Sequence, residues 1–187
     1  MGRSQALVVW DRGERGISLL EILIALVIIA VLVGLSLPLV RGELDSYRVK
    51  SDAHSIANQL ALTRIRAAAD FTRARFTFST AGDAYQIQSF DLSTDGYVSK
   101  DGAHVLSPGV SFGFGTIQTP AGEQNAIQQT TAVSFNSRGI PIDSGGSPTE
   151  NNAVYLTNNH GLFYAVTVSI SGRVDVWRYS GTSWVIQ

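Results

Sequence analysis

Glu21 is the residue whose chemistry most needs a partner. It belongs to Gly16-Ile17-Ser18-Leu19-Leu20-Glu21, and the nineteen residues from Ile22 to Val40 carry no charge. An acid at the mouth of a hydrocarbon-like segment is costly unless a cation or hydrogen-bond donors meet it, so such an acid marks function by default. The apolar run itself offers no cation, and the partner must come from elsewhere.

Other chemistry is sparse. His54, His104 and His160 have no metal-ligand spacing and read as surface or turn residues. Serines are numerous, but no G-x-S-x-G elbow and no G-x-x-x-x-G-K-[ST] phosphate loop occurs. With no cysteine, disulfides and thiolate metal sites are excluded. No catalytic residue, resident metal or cofactor is assigned, and an enzyme is the weakest class. Asp91, Ser93 and Asp95, followed by Gly96, match the start of a calcium loop. The twelfth position is Gly102 rather than a bidentate glutamate, with Asp101 beside it, so a polar hairpin loop is the preferred reading. Arg138, Arg173 and Arg178 form a candidate DNA-phosphate patch. Asp143, Asp175 and the −2 charge of residues 17–187 (11 Lys+Arg against 13 Asp+Glu) argue for solvated strand faces instead.

These residues must be positioned by few elements. The chain has 187 residues, net charge −1 and 44% hydrophobic residues, which suits one folded domain with an appendage. Residues 17–40 form a helix of about 36 Å, enough to cross a bilayer. Arg3, Arg12 and Arg15 precede it, which keeps the leader cytoplasmic and the C-terminal part outside the cytoplasm. The run exceeds the h-region of a secretory signal peptide, and no A-x-A-like site follows. A plain signal anchor explains length and arginines but not Glu21. From Arg41 to residue 72 the helix continues as an amphipathic one, with Ala53, Ile56, Ala57, Leu60, Ala61, Ile65 and Ala68 as the stripe expected to pack on a sheet. Gly34, Pro38 and Gly42 are candidate bends.

The run Arg15-Gly16-Ile17-Ser18-Leu19-Leu20-Glu21 resembles the processing motif of type IV pilins and type II secretion pseudopilins. The resemblance implies cleavage between Gly16 and Ile17 by a membrane prepilin peptidase and methylation of the new amino terminus at Ile17. Residues 1–16 are then a leader, and Ile17 and Glu21 are the first and fifth residues of the mature chain. Most members have Phe where this chain has Ile17. Pro38 falls where many members carry a helix-kinking proline. Cleavage creates an ammonium at Ile17, and Glu21 of one subunit can pair with the Ile17 ammonium of a neighbour, which makes a buried charge tolerable and rewards correct register.

From residue 73 the pattern changes to period two. Strands are expected at 75–79, 84–91, 110–114, 132–136, 154–157, 162–170, 173–179 and 183–186, with a two-residue Ser171-Gly172 turn between the last long pair. A long helix followed by strands predicts an α+β fold with an antiparallel sheet. Residues 143–152 read as a mobile surface loop or as a partner-contacting insertion, and the sequence does not decide between them. Phe135 to Gly139 and Ser171-Gly172-Arg173 resemble the GspH/FimT branch, so 73–187 is expected to be an extracytoplasmic domain of the type IV pilin-like fold. By resemblance the chain is a GspH-like minor pseudopilin, involved in filament assembly and protein secretion. The alternative is a FimT/FimU-like minor pilin of a type IV pilus, with DNA binding for natural transformation. The implied partners are other pilin subunits, the prepilin peptidase/methyltransferase and the inner membrane.

Overall fold

The computed structural model describes residues 17–187, without the side chains of residues 35–41. The chain divides after Val40 into two compact units. One α-helix, α1 (Leu19–Ala69), contributes to both. The α-helix continues through Gly34, Pro38 and Gly42 without interruption.

In the first unit the large aliphatic residues from Leu19 to Val33 are each half or more exposed, with no polar face to set against them. Among the described residues no helix is long and apolar enough to cross a membrane. The expected span, 17–40, extends into residues 35–41, whose side chains lie outside the description.

In the second unit the buried stripe of α1 is Val49, Ala53, Ile56, Leu60, Thr63 and Ala67, all at 0% exposure. Their three- and four-residue spacing follows the 3.6-residue turn. Of the expected stripe, Ala57 and Ala61 are half-buried at its edge, and two members face outward: Ile65 is 62% exposed and Ala68 is also exposed. Ile65 is five positions beyond Leu60, about 140° around the helix, so it faces away. Thr63 replaces an apolar side chain in the stripe because its Oγ1 bonds the Gln59 carbonyl at 2.7 Å.

Eleven strands follow: β1 (Ala74–Ser79), β2 (Ala84–Asp91), β3 (Gly96–Ser99), β4 (His104–Val105), β5 (Val110–Phe112), β6 (Ala132–Phe135), β7 (Pro141–Ile142), β8 (Asn152–Asn158), β9 (Phe163–Val168), β10 (Val174–Tyr179) and β11 (Trp184–Ile186). They build two antiparallel sheets, one in the order β3-β2-β1-β6-β7 with β4 also on β2, the other in the order β11-β10-β9-β8-β5. The α+β antiparallel architecture is the expected one, and each expected strand is present. Phe76 and Ile87 of the first sheet, Leu156 and Val166 of the second, and the α1 stripe share one core.

β8 and β9 are buried on both faces. Val154 and Leu156 face the shared core, while Ala153 and Tyr155 face a second cluster. The irregular segment 113–131 covers that cluster with Phe114, Ala121 and Ile127. It is held without strands: the Tyr155 hydroxyl accepts from the Ala121 amide at 3.2 Å, Trp184 Nε1 donates to the Thr119 carbonyl at 2.8 Å, and the Thr130 amide donates to the Ala153 carbonyl at 2.9 Å. These bonds satisfy backbone groups that burial would otherwise penalise.

The β9–β10 connection differs from the expected two-residue turn. The Gly172 amide donates to the Ser169 carbonyl at 2.8 Å and the Ser169 amide to the Arg173 carbonyl at 2.9 Å. This is a three-residue hairpin loop with Gly172 (φ 78°) in the left-handed position. It matters because Arg64, on α1, donates from Nε to the Gly139 carbonyl and from Nη1 to the Gly172 carbonyl, both at 3.1 Å. One guanidinium thus ties the helix to the β6–β7 turn of one sheet and the β9–β10 turn of the other. A Cβ at Gly172 would lie 2.5 Å from the Gly139 carbonyl oxygen and 2.9 Å from Arg64 Nε. The two glycines of the sequence resemblance therefore meet at one arginine.

The helix ends with the opposite economy. The Thr72 amide bonds the Ala67 carbonyl and the Phe71 amide the Ala68 carbonyl, a Schellman end with Phe71 (φ 50°) where glycine is usual. Gly172→Ala should lower stability by about 2–3 kcal/mol, combining left-handed strain with the clash. Phe71→Gly should raise it by roughly 1 kcal/mol by relieving the same strain. Urea unfolding of both variants checks the two signs.

Candidate assembly segment and binding surfaces

The amino end of α1 is set by Ser18, which precedes the helix and whose carbonyl accepts the Ile22 amide at 3.2 Å. Glu21 is the acidic residue of the first turn. Ser18-x-x-Glu21 is also the spacing of a capping box, a signal the sequence reading missed. A carboxylate here is favoured by the positive end of the helix macrodipole. That explains why an acid is tolerated in a single chain. It leaves Glu21 exposed and, among the described residues, without a side-chain partner. Ile17 is 71% exposed one residue before Ser18. Gly16 lies outside the described residues, and Pro38 is in the helix with its side chain outside the description.

The Asp91–Asp95 segment is the connection of the β2–β3 hairpin, in which Asp91 pairs with Gly96. Asp91 Oδ1 accepts from the Ser93 amide at 2.8 Å and from Ser93 Oγ at 2.7 Å. These two bonds, the hydroxyl's first, hold its carboxyl below the ordinary aspartate value. Asp95 has φ 48° in the turn, and Asp101 bonds Arg66 Nη1 at 2.8 Å. Among the described residues no group of three or more His, Cys, Asp or Glu side chains converges on a metal position.

The three candidate DNA-contacting arginines are not on one surface. Arg173 and Arg178 lie five positions apart on and beside β10, and side chains alternate along a strand. Arg173 Nε is bound to Asp175 Oδ2 at 2.8 Å. Arg178 faces a groove beside α1, with Lys50. Arg138 is exposed in the β6–β7 turn. That turn meets the β9–β10 turn at Arg64, so Arg138 and Arg173 occupy neighbouring turns while Arg178 is on the opposite face of β10.

Residues 11–37 match the prokaryotic N-terminal methylation motif. The fold matches the minor pseudopilin EpsH from the type 2 secretion system of Vibrio cholerae with TM-score 0.50 at 13% identity, over 69% of this chain and 95% of that one. A crystal structure of the EpsH minor pseudopilin from the same organism gives 0.49 at 12% identity, over 69% and 92%. No curated protein matches the chain. The chain is type IV pilin-like, in motif and in fold. The methylation motif lies at the start of α1, and the structural likeness covers the fold. In this pilin-like chain the segment from Ile17 to Glu21 falls inside the methylation motif, and the β domain presents its polar loops.

Because Asp91 is depressed when folded, its contribution to the hairpin is full above the ordinary aspartate value and is lost as pH falls through the lower, folded value. The Asp91 carboxyl carbon should therefore titrate below 3.8 by NMR, and Ser93→Ala should move the midpoint back up toward it. Millimolar calcium should leave the melting temperature unchanged.

Proposed function

We propose that this chain is a GspH-like minor pseudopilin, a structural subunit of a type II secretion pseudopilus that takes part in filament assembly and protein secretion. It enters the inner membrane through residues 17–40 as a single-pass protein with its β domain in the periplasm. A prepilin peptidase cuts between Gly16 and Ile17 and methylates Ile17. Neighbouring subunits then cover the N-terminal part of α1. The observation that carries this reading is the methylation motif placed directly on the start of a helix whose large aliphatic side chains are exposed in the described residues.

Covering such side chains contributes about 1.5–3 kcal/mol each, and that gain is non-directional. It does not choose a register along the helix. A charge does: Glu21 moved into the apolar core of a filament is tolerable only beside a cation, and the amino group released at Ile17 is one. The secretion assignment, rather than a FimT/FimU-like pilus role, takes its support from the pseudopilin whose fold this chain shares. A chromosomal neighbourhood with a secretin and other minor pseudopilins supports it further, and one with pilus genes supports the alternative.

Gly16→Trp should abolish processing, leaving a precursor heavier by the leader. Glu21→Ala should be processed normally yet be recovered with other filament subunits at roughly one tenth of the parent level or less. Mass spectrometry of the amino terminus and co-purification from cells measure the two effects. Normal processing of the first variant, or normal incorporation of the second, contradicts the proposal.

A further inference from the structure

We infer that Asp45, Asn158 and His160 form a pH-sensitive latch that holds residues 43–48 of α1 against the β8–β9 turn, tight when His160 is protonated and looser when it is neutral. The latch lies wholly within the second unit. Asp45 Oδ2 is 3.3 Å from His160 Nδ1, and the Asp45 carbonyl accepts from Asn158 Nδ2 at 3.3 Å.

The turn that carries His160 is fixed by its own bonds. Asn158 is 7% exposed, and its Oδ1 accepts from the His160 and Leu162 amides, each at 3.0 Å. The Gly161 amide bonds the Asn158 carbonyl at 3.2 Å, with Gly161 at φ 73°. A set backbone thus presents an imidazole that is itself 56% exposed and open to solvent protons. The helix side depends on the contact. The buried stripe of α1 begins only at Val49, and Leu44 and Tyr47 before it are exposed. Gly42 is a poor helix former at the start of this stretch. Ser46 Oγ bonds back to the Gly42 carbonyl, and Arg48 Nη1 bonds Asp45 Oδ1 at 2.9 Å, both within the helix. Among described residues 42–48, hydrogen bonds to the strand-bearing part of the chain are made at Asp45.

Charge sets the direction of the switch. A carboxylate stays ionised above about pH 5, whereas an imidazole ordinarily gains its proton as pH falls through about 6.5. Protonated, Nδ1–H gives Asp45 a charge-assisted bond, roughly twice as strong as a neutral one. Neutral, the ring loses that attraction, and its Nε2–H tautomer turns a lone pair toward Oδ2. The stabilisation is therefore present in acid and is lost as pH rises. The other charged groups near the turn do not titrate in this window. Arg48 shares the Asp45 carboxylate, and Glu43, Lys50, Arg178 and the chain-terminal Gln187 line the groove beside Leu162, with the neutral Tyr47 and Tyr164. Both partners are partly exposed, so solvent screening keeps the effect to about threefold. This inference is independent of the filament reading.

Hydrogen–deuterium exchange of the full chain in neutral detergent micelles tests it, read by mass spectrometry over residues 43–50 and corrected for the intrinsic pH dependence of amide exchange. Protection of this stretch should be about threefold higher near pH 5.5 than near pH 7.5. His160→Gln should remove the dependence at the weaker level of protection, and His160→Arg should hold the stronger level at both pH values. Asp45→Asn should also remove the dependence. Flat protection in the parent overturns the inference, as does a pH dependence that survives in His160→Gln or equal protection in the Gln and Arg variants.

Discussion

Everything in this molecule is arranged around one helix that is satisfied along only part of its length. From Val49 to Ala67 a stripe of α1 is sealed into the core shared with both sheets. From Leu19 to Val33 the aliphatic side chains lie open. The hydrophobic effect gives the two parts different demands. The first is met within the chain. In the proposed filament the second is met by neighbouring helices, and Glu21 near its start is the charge proposed to set their register.

Within the second unit the β strands hold the C-terminal part of α1, and Arg64 shows how. Its guanidinium bonds one carbonyl in each sheet's turn, Gly139 and Gly172, so one side chain ties the helix to both sheets beside the core they share. A lysine could not make both bonds with a planar fork. The second cluster under segment 113–131 buries the outer face of β8 and β9, which keeps the second sheet from being a thin wall.

Much of this was legible in the sequence. The period-two runs located β2 to the residue, and the 3–4 spacing located α1. Leu60 and Ile65 both fit a loose apolar stripe, and only the exact angle separates them. Strands β4 and β7 have two residues each, too short for alternation to register. The turn at Ser171-Gly172 was placed correctly but given one residue too few, because glycine in the left-handed position serves both loop lengths. Segment 113–131 carries no periodic pattern, since its burial follows from contacts with β8 that are distant in sequence. The Arg64 bonds join residues 75 and 108 positions apart, and no local pattern encodes them. Glu21 was the reverse case: its chemistry was evident from its neighbours, and the structure added the helix-start position that makes it tolerable alone.

The central claim is that processing creates the cation that Glu21 requires. Carbon and nitrogen NMR of labelled, assembled filaments at neutral pH tests it directly. The account predicts an ionised Glu21 carboxylate with an Ile17 nitrogen within about 4 Å. A protonated Glu21 carboxyl with no Ile17 nitrogen near it would contradict it.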